Sequence, residues 1–247
     1  MSDPKAPSPR PVFFFDIDNC LYPRSTRVQD LMQELIDDYF VRHLELSPDD
    51  ARLLHGQYYK DYGLAISGLV KHHKIDPLAY NREVDDALPL DDIIKPDARL
   101  RQLLADMDKT KVKLWLLTNA HITHAKRVVR LLGVDDMFEG LTYCNYEQSP
   151  LIAKPHAKMF DKAELEAGAT SSENCYFVDD SLLNCGHASA RGWKVVHKIE
   201  KDDPAPVTPA GQYQVRDLEE LRDIFPQFFL KNTEAGTKAS REPASQL

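Results

Sequence analysis

Two aspartates, Asp16 and Asp18, stand one residue apart directly after the apolar run Val12-Phe13-Phe14-Phe15. A carboxylate at that place can attack phosphorus and form a mixed anhydride, which splits one displacement into two easier ones. The second, two residues on, can point to the same side, protonate a leaving alkoxide and then take a proton from the attacking water. That task favours a raised pKa, which a neighbouring carboxylate and partial burial would supply. The main-chain carbonyl of Asp18 is free to meet a hard cation. Thr118-Asn119 follows another apolar run, 112–117. A hydroxyl and a main-chain N–H at a strand-to-helix turn make a phosphate cradle. Lys154 precedes Pro155, which biases its backbone to an extended geometry. A fixed ammonium there could neutralise both Asp16 and an incoming phosphoryl group. Asp179-Asp180 close a third run, Tyr176-Phe177-Val178. With Asp16 they would form an oxygen-rich site suited to Mg²⁺. The cation would orient a phosphate and screen it from an anionic nucleophile.

Each segment alone has a plainer reading. An Asp-x-Asp pair is a common solvated loop, a Thr at a turn caps the next helix, a Lys-Pro is usually surface, and two acids before a helix cap it. What separates the functional reading from these is the shared context. Three of the four segments lie at the end of an apolar run that reads as a buried parallel strand. Open α/β sheets bind ligands at the carboxyl ends of such strands.

The elements that must position these groups follow from periodicity. Val12 to Phe15 is the first strand. From 27 to 44, Val28, Leu31, Met32, Leu35, Ile36, Tyr39 and Phe40 recur on one helix face. Ser47-Pro48-Asp49-Asp50 opens a second helix, with Gly63 as its stop. Further helices are expected near 64–74 and 77–87. The α/β pattern resumes near Pro96 with a helix at 97–107, a strand at 112–117 and a helix at 121–132. A short strand at 141–144, a helix within 155–168, a strand at 175–178, a helix at 182–191 and a strand at 194–197 complete it. A Pro-rich linker over 203–212 and a last helix within 215–229 follow. The fold class is therefore α/β, a Rossmann-like doubly wound parallel sheet. The expected division is a disordered leader 1–11, a core of 12–20 and 96–230, a helical cap 21–95, and a disordered tail 231–247.

At 247 residues and a formal net charge of -8, the chain has no basic face for a nucleic acid polymer. No apolar stretch approaches the ~20 residues of a membrane span. The Pro- and Ser-rich start lacks a signal peptide's apolar core. Cys20, Cys144, Cys175 and Cys185 show no CxxC pairing and read as reduced thiols, which fits the cytoplasm or nucleus. A monomer or weak dimer is expected.

The joint pattern resembles the haloacid dehalogenase-like hydrolase superfamily. Asp16 and Asp18 match its first motif, Thr118 its second, Lys154 its third, and Asp179 with Asp180 its fourth. Cys20 departs from the Thr or Val common at its place, where a small buried side chain serves. The resemblance implies a Mg²⁺-dependent phosphohydrolase with Asp16 as nucleophile, Asp18 as acid and base, and Asp16, Asp18, Asp179 and Asp180 around the metal. Asp180 is favoured as a direct ligand. Thr118, Asn119 and Lys154 would hold the phosphate, and the insert resembles a C1-type cap. Asp16-Ile-Asp-Asn-Cys-Leu-Tyr22, Tyr58-Tyr59 with Tyr62-Gly63-Leu64, Thr118-Asn-Ala and Phe177-Val-Asp-Asp-Ser181 look like the eukaryotic pyrimidine 5′-nucleotidase branch. That implies hydrolysis of nucleoside 5′-monophosphates, with UMP and CMP preferred.

In such a cap, Asn19, Arg24, Tyr58, Tyr59 and Tyr62 are candidates to contact substrate, although helical spacing also suits tyrosines to cap-core packing. His72 and His73 read as a solvated face, and His121 and His124 as surface helix residues beside the site mouth. The alternatives are a phosphatase of another phosphometabolite (nicotinamide mononucleotide, a sugar phosphate or lysophosphatidate) and a phosphomutase. A dehalogenase has no alkoxide to protonate, so Asp18 counts against it. A receiver domain places its acidic pair first, where this chain places it last. A partner-binding protein that had outgrown catalysis would not need all these side chains.

Overall fold

The computed structural model describes residues 9–231. The expected leader 1–11 and tail 231–247 thus lie outside the described residues, except at 9–11 and 231. Two of those leader residues belong to the fold: Arg10 pairs with Glu139 at 2.8 Å, and the Pro11 carbonyl accepts the Lys113 N–H at 2.9 Å.

The strands β1 (Val12–Phe15), β2 (Lys113–Leu117), β3 (Gly140–Thr142), β4 (Cys175–Asp179), β5 (Lys194–Lys198) and β6 (Tyr213–Val215) form one parallel sheet in the order β3-β2-β1-β4-β5-β6. β1 lies between β2 and β4, with Phe15 beside Leu116 on one side and Val178 on the other. All four β1 residues are buried, because helices cover both faces of the sheet. Phe13 and Phe15 point into one apolar layer with Leu100, Leu104, Val128 and Phe228. Phe14 points into the other, with Phe160, Phe177 and Trp193, and stacks on Trp193 at 4.7 Å. The chain order reverses across β1. A crevice therefore opens at the carboxyl ends of β1, β2 and β4.

Four helices follow β1: α1 (Val28–Leu44), α2 (Pro48–Tyr62), α3 (Ala65–His72) and α4 (Pro77–Glu83). Ser47 caps α2 by accepting the Asp50 N–H at 3.2 Å. Gly63 ends α2 at φ 77°, a left-handed conformation that suits glycine. Ile36, Tyr39, Phe40, Ala51, Tyr58, Ile66, Leu69 and Tyr80 form a second apolar centre in the insert, which Cys144, Tyr146 and Ala153 complete from the loops after β3. The edges of the 21–95 segment behave differently: Leu21, Tyr22, Val28, Leu88, Leu90 and Ile94 pack with the sheet's layer, not with the insert. Residues 88–94 include the short α5 (Leu90–Ile93), which the periodicity did not reveal.

After α5 the helices α6 (Ala98–Ala105), α7 (Ile122–Leu131), α8 (Ala157–Ala167) and α9 (Leu182–Ala190) alternate with the strands. The end of the chain departs from expectation. The single helix expected within 215–229 is β6, two 3₁₀ turns and the short α10 (Leu221–Ile224). Asp217 and Glu220 form a capping box that starts the turn only after β6, and Pro226 interrupts helical hydrogen bonding. Among the described residues, no helix is long and apolar enough to cross a membrane.

Candidate active site

The carboxyl ends of β1, β2 and β4 place Asp16, Thr118 and Asp179 side by side, and the loop before α8 brings Lys154 between them. The Lys154 ammonium donates to Asp16 Oδ1 and to Asp179 Oδ2, both at 2.6 Å, and to the Leu117 carbonyl at 2.8 Å. It is 1% exposed, so this cation sits inside the protein. Asn119 explains how it is held. Its side-chain amide donates to the Lys154 carbonyl at 2.9 Å and accepts the Lys154 N–H at 2.7 Å. The Asn119 side chain, expected to help cradle phosphate, thus clasps the loop that carries the ammonium.

Asp179 has no spare capacity. Besides Lys154, it accepts the Ser181 N–H at 2.7 Å and the Asn184 amide at 3.2 Å. Asp180 is the reverse: among the described residues no donor meets its carboxylate. Carboxylate oxygens of Asp16, Asp179 and Asp180 lie within 4.8 Å of one another. Three carboxylates thus gather around the Lys154 ammonium, with the Lys198 charge also acting on Asp180. Burial pushes the Asp16 carboxyl well above its usual range. Lys154 opposes this, while Asp179 and Asp180 add to it. Burial and the Asp179 charge push Asp180 up to about 7. Burial acts against the Lys154 charge, but Asp16 and Asp179 outweigh it and hold the pKa above that of an ordinary lysine. The donor set is hard oxygen with a deficit of positive charge, which fits a small divalent cation.

The Asp18 carboxylate turns away from that cluster. Its Oδ1 accepts from the Tyr22 hydroxyl at 2.6 Å and lies 2.8 Å from His124 Nε2. The expectation of a raised pKa is overturned: burial acts upward, but the His124 charge and hydrogen bond, with Tyr22, bring the Asp18 carboxyl below its usual range. The expectation that His121 and His124 lie on the surface is also overturned. His124 is 1% exposed, and His121 is buried, stacked on Tyr146 at 4.9 Å. Both sit at the start of α7, where the insert's return through Asp85 and the loop at 144–146 cover the helix. Nothing in the α7 pattern announces that cover. A signal was available in composition alone, since His121 and His124 follow Thr118-Asn119 within two turns of helix.

Thr118 Oγ1 accepts the Ala120 N–H at 3.0 Å, which leaves its own proton free to donate. Cys20 is buried, and its thiol meets the Val178 carbonyl at 3.7 Å.

These groups floor a cavity of about 630 Å³. The cap and the loop after β1 supply its roof: Asn19, Arg24, Gln29, Gln33, Tyr59 and Leu64. Of the three candidate tyrosines only Tyr59 faces it. Tyr58 is buried against Phe40 and its hydroxyl meets His73 at 2.7 Å, while Tyr62 meets His72 at 2.7 Å. The two histidines read as a solvated face are therefore tied to tyrosines. Successive helix residues point about 100° apart, so one of two neighbouring tyrosines faces the cap interior. Gln29 and Gln33 escaped notice because a glutamine on a helix carries no signal of its own.

A haloacid dehalogenase-like hydrolase family model matches residues 11–186. The chain is 45% identical over 209 residues to Phosphate metabolism protein 8 of Saccharomyces cerevisiae. That match takes in 80% of this chain and 65% of the yeast protein, so the chain spans just under two thirds of that relative's length. Among solved structures, the fold resembles a HAD phosphatase from Thermococcus onnurineus, with 18% identity and a TM-score of 0.58 over 89% of this chain and 100% of that one. A beta-phosphoglucomutase from Clostridium difficile follows at 15% and 0.55, over 89% of this chain and 99% of that one. The L-2-haloacid dehalogenase of Xanthobacter autotrophicus with chloropropionic acid covalently bound gives 15% and 0.52, over 88% and 99%. Their names cover three reactions, so the shared fold alone does not choose among them.

Proposed function

This chain belongs to the haloacid dehalogenase-like hydrolases, and from that premise we propose that it is a Mg²⁺-dependent phosphatase of nucleoside 5′-monophosphates, UMP and CMP first. The observation that carries the reading is the cluster of Asp16, Asp179 and Asp180 beside the buried Lys154 ammonium.

Asp16 and Asp180 would hold the cation with their carboxylates and Asp18 with its main-chain carbonyl. Asp179 contributes charge, its oxygens being taken. When bound, Mg²⁺ neutralises the excess negative charge and polarises the phosphoryl group. Lys154 keeps Asp16 aimed, and Thr118 donates to a phosphate oxygen. The Asp16 carboxylate attacks phosphorus as the bond to the leaving oxygen breaks. Asp18 gives that oxygen its proton. In the second half Asp18 takes a proton from water, the water oxygen attacks phosphorus, and the Asp16 carboxylate is released. The dedicated acid and base distinguishes this route from dehalogenation.

The substrate assignment rests on the roof. An exposed aromatic face at Tyr59 suits stacking on a base, and Asn19, Gln29, Gln33 and Arg24 offer polar groups for a base edge and a ribose. The cavity volume is of the right order for a nucleotide. Phosphate release from UMP, CMP, AMP, GMP, nicotinamide mononucleotide, a sugar phosphate and lysophosphatidate tests it, with Mg²⁺ or chelator. Asp16→Asn serves as the blank and is expected to lose at least about 10³-fold in rate. Turnover of the pyrimidine nucleotides well above the others, abolished by chelator, is expected. Preference for another ester would discard the substrate. A phosphoryl group passed to a sugar and not to water would make the enzyme a mutase.

A further inference from the structure

His124 is a buried imidazole beside Asp18 for which the reaction above has no task. Its side chain is wholly buried on α7, where its helix neighbours Ala125, Val128 and Val129 are apolar. An apolar residue would fill the place without the penalty of burying a polar ring. Its single polar tether is Asp18: Nδ1 is buried and meets no hydrogen-bond partner among the described residues.

We propose that His124 is a positioning residue that, with Tyr22, reserves one oxygen of Asp18 for the leaving group. The inference rests on the reading of Asp18 as the general acid. Both contacts fall on the same atom, Oδ1, from Tyr22 at 2.6 Å and His124 at 2.8 Å. An oxygen that accepts two hydrogen bonds has no room for a proton of its own. Whenever Asp18 carries the transferable proton, Oδ2 is therefore the oxygen that holds it, although the same two donors favour the ionised carboxylate between turnovers. The two donors also fix the plane of the carboxyl group, and Asp18 lines the cavity. When the bond from phosphorus to the leaving oxygen breaks, its electron pair stays on that oxygen, which takes the Oδ2 proton. Asp18 is left as a carboxylate whose Oδ1 keeps both donors. Neither Tyr22 nor His124 gains or loses a proton in the step, so their contribution is orientation.

A leaving-group comparison tests this. The value of kcat/KM for a monoester reports the steps up to the phosphoenzyme, so the later role of Asp18 as base does not enter. An alkyl phosphate needs an acid to leave, whereas para-nitrophenyl phosphate leaves as a stable anion and needs little help. The probes are para-nitrophenyl phosphate and whichever alkyl ester the panel shows to be turned over best, with Mg²⁺ present. In His124→Leu the alkyl ester is expected to lose on the order of 10²-fold more than the aryl ester, the range of general acid catalysis. In His124→Gln, whose amide can donate from nearly the same place, most of that gap closes. Equal loss on both esters in His124→Leu, or a gap that His124→Gln leaves as wide, overturns the inference and makes His124 a packing residue. Asp18→Asn is the parallel control. If it shows the gap and His124→Leu does not, the inference alone fails. If Asp18→Asn also lowers both esters equally, the reading of Asp18 as acid fails with it.

Discussion

The floor and the roof of one cavity are built by different means. At the floor, Asp16, Thr118, Lys154 and Asp179 are each buried, and the Lys154 ammonium has three partners that come from three separate strands. At the roof, Tyr59 is 57% exposed, and the Arg24 side chain pairs with Asp203 at 3.0 Å, both part-exposed. The floor is a network in which each position depends on the others. The roof is a set of side chains on the insert and on the loop after β1, with fewer ties among them: the Asn19 amide donates to Gln29 Oε1 at 3.0 Å. Under the proposed function, the difference separates what must stay fixed, the phosphoryl chemistry, from what can vary, the group that carries the phosphate.

Substitutions that treat both regions alike would break this contrast. The largest effect is expected from Lys154→Met, which leaves Asp16 and Asp179 buried without their cation. Removing one partner of a buried pair costs about 3–5 kcal/mol, so chemical denaturation should show a loss of that order together with loss of turnover. A change below about 1 kcal/mol would mean that water replaces the ammonium and the floor is less closed than its geometry.

Next comes the pH dependence of the floor. Burial raises the folded-state pKa of Asp16, and of Asp180 to about 7, against the ordinary 3.8 of an aspartate. A raised acid contributes stability that is fully present below its unfolded pKa and is lost as pH climbs through the folded one. Without cation, stability should therefore fall between about pH 4 and 7. Saturating Mg²⁺, which binds the ionised carboxylates, should reverse the slope over the same window. Thermal unfolding with and without Mg²⁺ measures this, and parallel curves would exclude a metal at these carboxylates. Asp85, raised by burial to about 6 despite the opposing charge of His124, is not in the acidic cluster and gives a slope that Mg²⁺ leaves alone.

At the roof, Tyr59→Ala should lower kcat/KM for a nucleotide about tenfold, the scale of one stacking contact, and leave stability unchanged. Tyr58→Ala should do the opposite and cost stability by opening the cap interior. Equal kinetic effects at the two positions would mean that the face of α2 has been misassigned. The smallest effect is Ser47→Ala, a lost cap of about 1 kcal/mol far from the floor. Turnover per folded molecule should not move.

Most of the floor was legible in the sequence, and for one physical reason. A buried parallel strand is a continuous apolar run, so a polar residue directly after it marks a strand's carboxyl end. Asp16, Thr118 and Asp179 are all of this kind, and the structure brings them together with Lys154. The role of the Asn119 side chain was not legible, because a clasp on a loop 35 residues away leaves no local trace. His124 was misplaced because its burial comes from the covering insert and not from its own helix. β6 was missed because three residues with a partly exposed Tyr213 carry no strand period. The correct face of α2 needed packing knowledge, since Tyr58 and Tyr59 are chemically the same.

The central strand β1 must find its register during folding. Its three consecutive phenylalanines are equally at home on either face of the sheet. In most strands a slip by one residue exchanges buried and exposed side chains and is rejected for that reason. Here a slip exchanges phenylalanine for phenylalanine, and the apolar layers offer little resistance. The stop is set at the strand's end, where Asp16 donates its N–H to the Val178 carbonyl at 3.0 Å and its side chain accepts from Lys154. A nucleophile in the proposed chemistry thus also serves as the alignment mark for the central strand. Replacing Asp16 with an apolar residue should therefore blur the strand's registration as well as stop the reaction, whereas asparagine, which can still accept a hydrogen bond there, leaves the alignment in place.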